Sequence, residues 1–495
     1  MTETQPALGG ARALSLRTKF FYGFGSVAFG AKDSGFSYFL LIFYNQVMGL
    51  PSQTVGLAIM IALLVDAFLD PIVGQISDNW RSRWGRRHPF MYAAALPVAL
   101  SYLLLWSPMK GLSHQQLFVY LIVTAVLIRS FITLYEIPSS ALAAELTTQY
   151  DERTKLLSYR YLFGWIGGLI MYFAALTVFL KPDAAHKVGQ LNPEGYAHYG
   201  MAAALLMLFA ILVSAIGTHR EIPYLRLAPQ RKLSLGALAR EMFGTLANRS
   251  FLVILVASLF TAMAGGLSLS INLYFTTFFW ELSRAQIATL TFASLLAALF
   301  AFAAAPALSR LFGKKASAIV LLVVGVTVSS TPVSLRLLGV FPPNGSPLLY
   351  PILFSQNVIS VGLIVTAGIL MASMIADVVE DSELRTGRRS EGLFFAANAF
   401  VAKAVSGIGI FSSSMILAVV GFPQDAKPGQ VDPQVIRHLG LVFVPTMITL
   451  YVLAALFTTG YRITRQSHEE SLRKLAAAAD LVEEGEPAGS TAKLG

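Results

Sequence analysis

The feature that most constrains this chain is its recurrence of apolar runs, near residues 19–47, 53–78, 89–108, 116–145, 156–180, 198–218, 251–279, 285–310, 316–338, 348–376, 391–421 and 436–461. About twenty apolar helical residues span a hydrocarbon core roughly 30 Å thick. In lipid a helix persists because it satisfies its own backbone hydrogen bonds. The expected fold class is an all-α membrane protein of about twelve transmembrane helices, with the lipid bilayer as its solvent. Composition agrees, since 55% of the 495 residues are hydrophobic and 13% charged, far from a soluble globular chain. With no cysteine there is no disulfide framework and no thiolate metal site. The segment from Met1 to Phe20 has no apolar core ending at a small-residue cleavage site, so no cleavable signal peptide is expected and the first helix directs insertion.

Charge orients these helices. The odd-numbered connections Gly49 to Gln53 and Phe341 to Pro347 carry no Lys or Arg, whereas even-numbered ones hold clusters that include Arg81, Arg83, Arg86 and Arg87. By the positive-inside rule both termini are expected to be cytoplasmic, in a cell inner membrane. The net charge of +10 is then topology, and no nucleic-acid partner is needed to explain it. The loops also repeat. Arg83-Trp84-Gly85-Arg86-Arg87 after helix 2 is echoed by Leu311-Phe312-Gly313-Lys314-Lys315 after helix 8, and Ala144-Glu145 with Arg153-Thr154 recurs as Ala376-Asp377 with Arg385-Thr386. Two parallel halves follow, with a cytoplasmic N-terminus over 1–18, a first six-helix bundle over 19–218 and a basic cytoplasmic linker over 219–250. A second six-helix bundle covers 251–461 and a cytoplasmic tail 462–495. Parallel halves around a central site are the architecture of the major facilitator fold, in which one bundle rocks against the other. The linker reads as weakly amphipathic. The tail reads as a short helix followed by a disordered end.

Function is sought in the charges at membrane depth, each costing roughly 2.5–3.5 kcal/mol at a helix centre and therefore retained when paired or functional. Helix 1 carries Lys32 and Asp33, helix 2 Asp66 and Asp70, helix 4 Arg129 and Glu136, and helix 11 Lys403. Asp66 and Asp70 lie one turn apart on one face, where two like charges cannot both ionise cheaply, so they are expected to share a cation or a proton. Thr133, one turn before Glu136, would add a hydroxyl oxygen if helix 4 faces helix 2. Ion pairs that merely pin helices are the plainer reading, and Arg129 is assigned that neutralising role. Gly23, Gly25, Gly164, Gly167 and Gly168 sit within apolar helices and read as close-packing positions. The histidines show no metal-ligand spacing, and no phosphate-binding loop for ATP is present.

At these residues the chain resembles the glycoside-pentoside-hexuronide:cation symporters of the major facilitator superfamily, of the melibiose-permease-like kind. The carrying motifs are AKDSG at 31–35, DAFLDPIVGQISDNWRSRWGRRHPF at 66–90, YEIPSSAL at 135–142, YRYLFGWIGG at 159–168, and ADVVEDSELRTGRRSEG at 376–392 followed by Lys403. The resemblance implies a cation site of Asp66, Asp70 and Thr133, with sodium at Asp66 and Asp70 the one metal to consider. It implies that Lys32, Asp33, Glu136, Arg160 and Lys403 line or support a sugar site, with Trp165 as a replacement stacking contact. It also places Arg83, Gly85, Arg86, Arg87, Glu145, Asp377 and Arg385 at a cytoplasmic gate. Departures bear on specificity. Leu69 stands where the resembling permease has an asparagine, which removes an oxygen ligand and favours a proton over sodium, and Ser140 stands where a tryptophan is expected. Tyr38, Tyr274, Asn272, Gln356 and Asn357 are further candidates for replacement contacts.

The expectation is a monomeric secondary transporter, without cofactor, that couples H+ or Na+ to a small-molecule solute, a sugar or glycoside. A lysolipid or amphiphile transporter of the same fold is the alternative. A membrane-embedded enzyme is the remote one: it would require a nucleophile with its base or a metal cluster at membrane depth, and although Asp66 and Asp70 could hold a catalytic metal, the repeat symmetry and the loops argue for a moving carrier.

Overall fold

The computed structural model describes residues 14–147, 150–184, 186–225, 236, 248–386, 391–424, 426–463 and 470. Within helices it describes side chains other than those of 144, 150, 151, 153, 154, 380, 381, 383–386 and 391–396. Most of the linker and tail, together with the side chains of Arg153 and Arg385, lies outside the described residues.

Eleven helices among the described residues are long and apolar enough to cross a membrane. Helix 2 is Ser52–Asn79, helix 3 His88–Trp106, helix 4 His114–Leu146 and helix 5 Tyr150–Ala174 with a π turn at Ala175–Phe179. Helix 6 is Pro193–His219, helix 7 Arg249–Tyr274 with a π turn at Phe275–Phe279, helix 8 Arg284–Phe312 and helix 9 Lys314–Leu337. Helices 10, 11 and 12 are Leu349–Thr386, Glu391–Val419 and Pro433–Thr459. Helix 1 completes the set in segments: Leu16–Phe24, Ser26–Ser34, a π turn at Gly35–Phe39, Leu40–Ile42 and a second π turn at Phe43–Val47. Side-chain caps fix several starts, Ser113 and Ser283 closing capping boxes and Asn192 capping a helix 6 that begins earlier than its apolar run. Helix 10 runs beyond its apolar stretch and carries Asp377 out on a continuous rod.

Packing repeats with the sequence. Helix 1 packs on 5 and 6 as helix 7 packs on 11 and 12; helices 2 and 3 pack on 4 as 8 and 9 pack on 10; and 3 packs on 6 as 9 packs on 12. Helix 2 against 11 and helix 5 against 8 join the halves, with helices 1 and 7 meeting at the axis. Close approach explains the helical glycines: a Cβ on Gly30 would lie 1.9 Å from the Gly164 carbonyl oxygen, and one on Gly409 would lie 2.1 Å from that of Met263. These contacts sit at the equivalent 1–5 and 7–11 crossings.

The halves close against each other at the end of the molecule opposite the Arg-rich loops. Tyr274 donates to Asn45 at 2.7 Å, Gln46 donates to the Pro423 carbonyl at 2.9 Å and accepts from the Ala426 N–H at 3.1 Å, and Ser52 donates to the Ser414 carbonyl at 3.0 Å. Arg284 reaches the Leu180 carbonyl at 3.2 Å, and the Phe173 and Phe292 rings meet edge-on. At the basic end, the ion pairs among the described residues run within one half: Lys19 to Glu152, Arg86 and Arg87 to Glu145, and Lys314 to Asp377.

Candidate functional site

Helix 2 presents Asp66 and Asp70 one turn apart, as an i,i+4 spacing requires, and helix 4 meets them with Arg129 and Thr133 at the same spacing. Thr133 donates to Asp66 Oδ1 at 2.7 Å and lies 3.2 Å from Asp70 Oδ1, bridging the two carboxylates. Arg129 Nη1 donates to Asp66 Oδ2 at 2.7 Å, and its guanidinium lies 4.5 Å from the centroid of the Phe36 ring on helix 1. From the other half, Lys403 Nζ on helix 11 donates to Asp70 Oδ2 at 2.6 Å and stands 3.5 Å from Asp66 Oδ2. Asp66 is sealed at 1% exposure, whereas the Asp70 and Lys403 side chains keep 21% and 27%. Two carboxylates therefore face two cations and one hydroxyl, with Asp66 the inner member and Asp70 the accessible one. The Arg129 ion pair anticipated from the sequence is formed.

The other site candidates divide. Lys32, buried to 2%, pairs at 2.6 Å with Asp33, whose side chain is 55% exposed. A carboxylate so exposed at mid-helix belongs in an aqueous cavity, because lipid would not tolerate it. Arg160 of helix 5 is buried, and donates to the Ser139 hydroxyl at 3.0 Å and the Glu136 carbonyl at 3.1 Å, with Phe29 beneath it at 5.1 Å. It thus meets the backbone beside Glu136 and not its carboxylate, which keeps a half-buried position without an ion-pair partner among the described residues. Trp165, 49% exposed, lies on the same helix five residues on, about 140° round from Arg160, and is not drawn into this cluster. Tyr274 is buried in the closed end with Asn45, and Gln356 donates along its own helix to Ser360. Asn45 and Gln46 were not singled out by sequence; their signal was two amides interrupting an apolar run just before Pro51.

At the basic end the repeated loop motifs share a glycine with positive φ. Gly85 and Gly313 turn at φ of +72° and +78°, a left-handed conformation that favours glycine, and each releases the next helix. Arg86 Nε and Arg87 Nε both donate to Glu145 Oε1, at 2.9 and 2.7 Å, and Arg87 also holds Ser77 and Asp78. In the second half Lys314 donates to Asp377 Oδ1 at 2.5 Å and Tyr461 to Asp377 Oδ2 at 3.1 Å. Arg83 is exposed, its guanidinium 5.6 Å from the centroid of the Trp84 ring.

Comparison with known proteins gives this geometry a family. Residues 21–465 match the family described as MFS/sugar transport protein. The chain belongs to that family. As a member of the MFS/sugar transport family it is a multi-pass membrane transporter and not an enzyme. It is 26% identical to an uncharacterised symporter of Synechocystis sp., over 94% of this chain and 98% of that one. It is 24% identical to the isoprimeverose transporter of Lactiplantibacillus pentosus, over 90% of this chain and 88% of that protein. The crystal structure of a D-xylose-proton symporter shares the fold, with a TM-score of 0.60, 15% identity and coverage of 90% of this chain and 98% of that one.

Proposed function

We propose that this chain is a proton-coupled symporter of a sugar or glycoside, working by alternating access in the inner membrane as a monomer with both termini cytoplasmic. The observation that carries the reading is the ion pair from Lys403 on helix 11 to Asp70 on helix 2, which ties the accessible coupling acid of one half to a cation of the other. The halves are residues 19–218 and 251–461, joined by the linker 219–250. Asp66, Asp70 and Thr133 form the coupling site. A proton taken up by Asp70 cancels the charge that holds Lys403 and frees the two halves to rock. Lys32, Asp33, Glu136, Arg160 and Lys403 surround the solute, carboxylates and cations together suiting vicinal hydroxyls, with the exposed Trp165 ring as a stacking surface on its route. Arg83, Gly85, Arg86, Arg87, Glu145, Asp377 and Arg385 act at the cytoplasmic gate, opposite the closed end. The symporter and isoprimeverose-transporter relatives support cation coupling and a sugar-class solute.

The test is uptake into proteoliposomes of a panel of labelled sugars and glycosides, under an imposed proton gradient at constant sodium and membrane potential. Accumulation against a gradient together with solute-linked proton uptake is expected. Strong stimulation by sodium without proton uptake would replace the proton by sodium, and chemical conversion without net transport would sink the carrier reading.

A further inference from the structure

We propose that Arg129 is the determinant of coupling-ion choice: a fixed internal cation that occupies Asp66 and so excludes metal cations from the two helix 2 acids. The proposal rests on the symport reading above and supplies a cause for its ion.

The argument is one of ligands and of ownership. A metal cation entering a membrane site needs several oxygens to replace its water, whereas a proton needs one. The side-chain oxygens gathered at this site are the four of Asp66 and Asp70 and the hydroxyl of Thr133, and Leu69 between the acids adds none. Each oxygen of Asp66 already accepts a hydrogen bond, Oδ2 from Arg129 at 2.7 Å and Oδ1 from Thr133 at 2.7 Å, which leaves it at most one further lone-pair site per oxygen. Lys403 belongs to helix 11 of the other half and keeps 27% exposure, so its amine can be withdrawn from Asp70 as the halves move. Arg129 cannot withdraw in that way. Its helix packs on helix 2 inside the same half, its side chain is only 5% exposed, and the Phe36 ring lies against the guanidinium. Nor does a guanidinium lose its proton in a protein. A sodium ion would therefore have to bind beside a permanent positive charge, with one of the two carboxylates already spoken for. Asp70 is left as the exchangeable acid.

Sodium itself is the probe, so no solute need be known. Full-length protein in lipid nanodiscs is titrated with radiolabelled sodium in an alkaline choline buffer, as wild type, Arg129→Gln and Arg129→Lys. The wild type and Arg129→Lys should show no saturable sodium binding that depends on Asp70. Arg129→Gln should gain it, with a dissociation constant at least about tenfold below the highest sodium concentration at which the wild type still shows no saturation, a difference of about 1.4 kcal/mol, and adding Asp70→Asn should remove the gain. Saturable sodium binding by the wild type that disappears with Asp70→Asn would overturn the proposal, as would a monodisperse Arg129→Gln protein with no gain. If Arg129→Gln does not fold, Arg129→Met, which removes the charge while filling the space against the Phe36 ring and keeps both carboxylates, is asked for the same Asp70-dependent gain, and its absence again overturns the proposal, as the wild-type titration can on its own. Failure of the wild type to accumulate solute under a proton gradient is a separate result that strikes the symport reading, because the sodium titration involves no transport.

Discussion

Replacing Gln46 by leucine should open the closed end of the carrier. Gln46 makes two hydrogen bonds between the halves, donating to the Pro423 carbonyl at 2.9 Å and accepting from the Ala426 N–H at 3.1 Å. Each is worth about 1 kcal/mol net, and in the opposite state both freed groups meet water. Losing the pair therefore shifts the balance between the two states by about 2 kcal/mol, or roughly thirtyfold. The leucine is close in volume, and the helix 1 backbone bonds that form the π turn at Phe43–Val47 do not involve the side chain. Because the chain has no cysteine of its own, a single Ser140→Cys substitution one turn from Glu136 gives a clean reporter. Its labelling by a membrane-impermeant maleimide from the outer face should rise in rate by about the same factor when Gln46→Leu is added. An unchanged rate, with Gln46→Leu present in the membrane at the parental level, would refute the assignment of Asn45, Gln46 and Tyr274 to an outer gate.

Asp70→Asn should abolish uphill accumulation while sparing solute exchange, measured in vesicles with and without a proton gradient; a mutant that still concentrates solute would remove Asp70 from the coupling site. Arg160→Gln should weaken solute binding by about tenfold or more, consistent with loss of a charged hydrogen bond of about 1.5–3 kcal/mol, with the protein still present in the membrane; loss of the protein instead would make Arg160 a structural strut between helices 4 and 5. Gly30→Ala should destabilise the first half by about 1–3 kcal/mol, because its Cβ would meet the Gly164 carbonyl oxygen at 1.9 Å, and a thermal melt that matches the wild type would show that helices 1 and 5 can part without cost.

Helix positions were legible because hydropathy at this length has one structural meaning in lipid, and the twofold plan because the loop motifs recur in sequence, their glycines Gly85 and Gly313 sharing a positive φ. The segmentation of helix 1 was not legible. A π turn differs from an α turn in which carbonyl an N–H reaches, and the apolar pattern of Gly35–Phe39 and Phe43–Val47 is the same under either choice. At the site, the spacing of Asp66 and Asp70 fixed their shared face, but their partners lie 63 and 333 positions away in the chain, where only the fold decides distance. Arg160 shows the same limit from the other side: its type and depth marked it as important, while its choice of the Glu136 carbonyl over the Glu136 carboxylate depends on how helices 4 and 5 cross.

The four central charges are unequally owned, and on the proposed reading that inequality is the coupling. Asp66, Asp70 and Arg129 move with the first half and Lys403 with the second, so the closed cluster is neutral while its two parts are not. Parting the halves at this depth without a cation leaves one net negative charge on the first and one positive charge on the second. For a fully buried pair such a break costs about 3–5 kcal/mol, which for this part-buried pair is the upper limit and would slow the empty movement by as much as several-hundredfold. A proton on Asp70 removes the first of those charges, and solute hydroxyls arriving between Glu136 and Lys403 give the second a new partner. Neither ligand alone cancels both penalties. A carrier built this way has no inexpensive route for proton leak or for solute slip, and Lys403→Ala should therefore permit downhill solute flux while uncoupling it from the proton gradient. Tight coupling retained in Lys403→Ala vesicles would show that the barrier to empty movement lies elsewhere, in the outer network of Asn45, Gln46 and Tyr274.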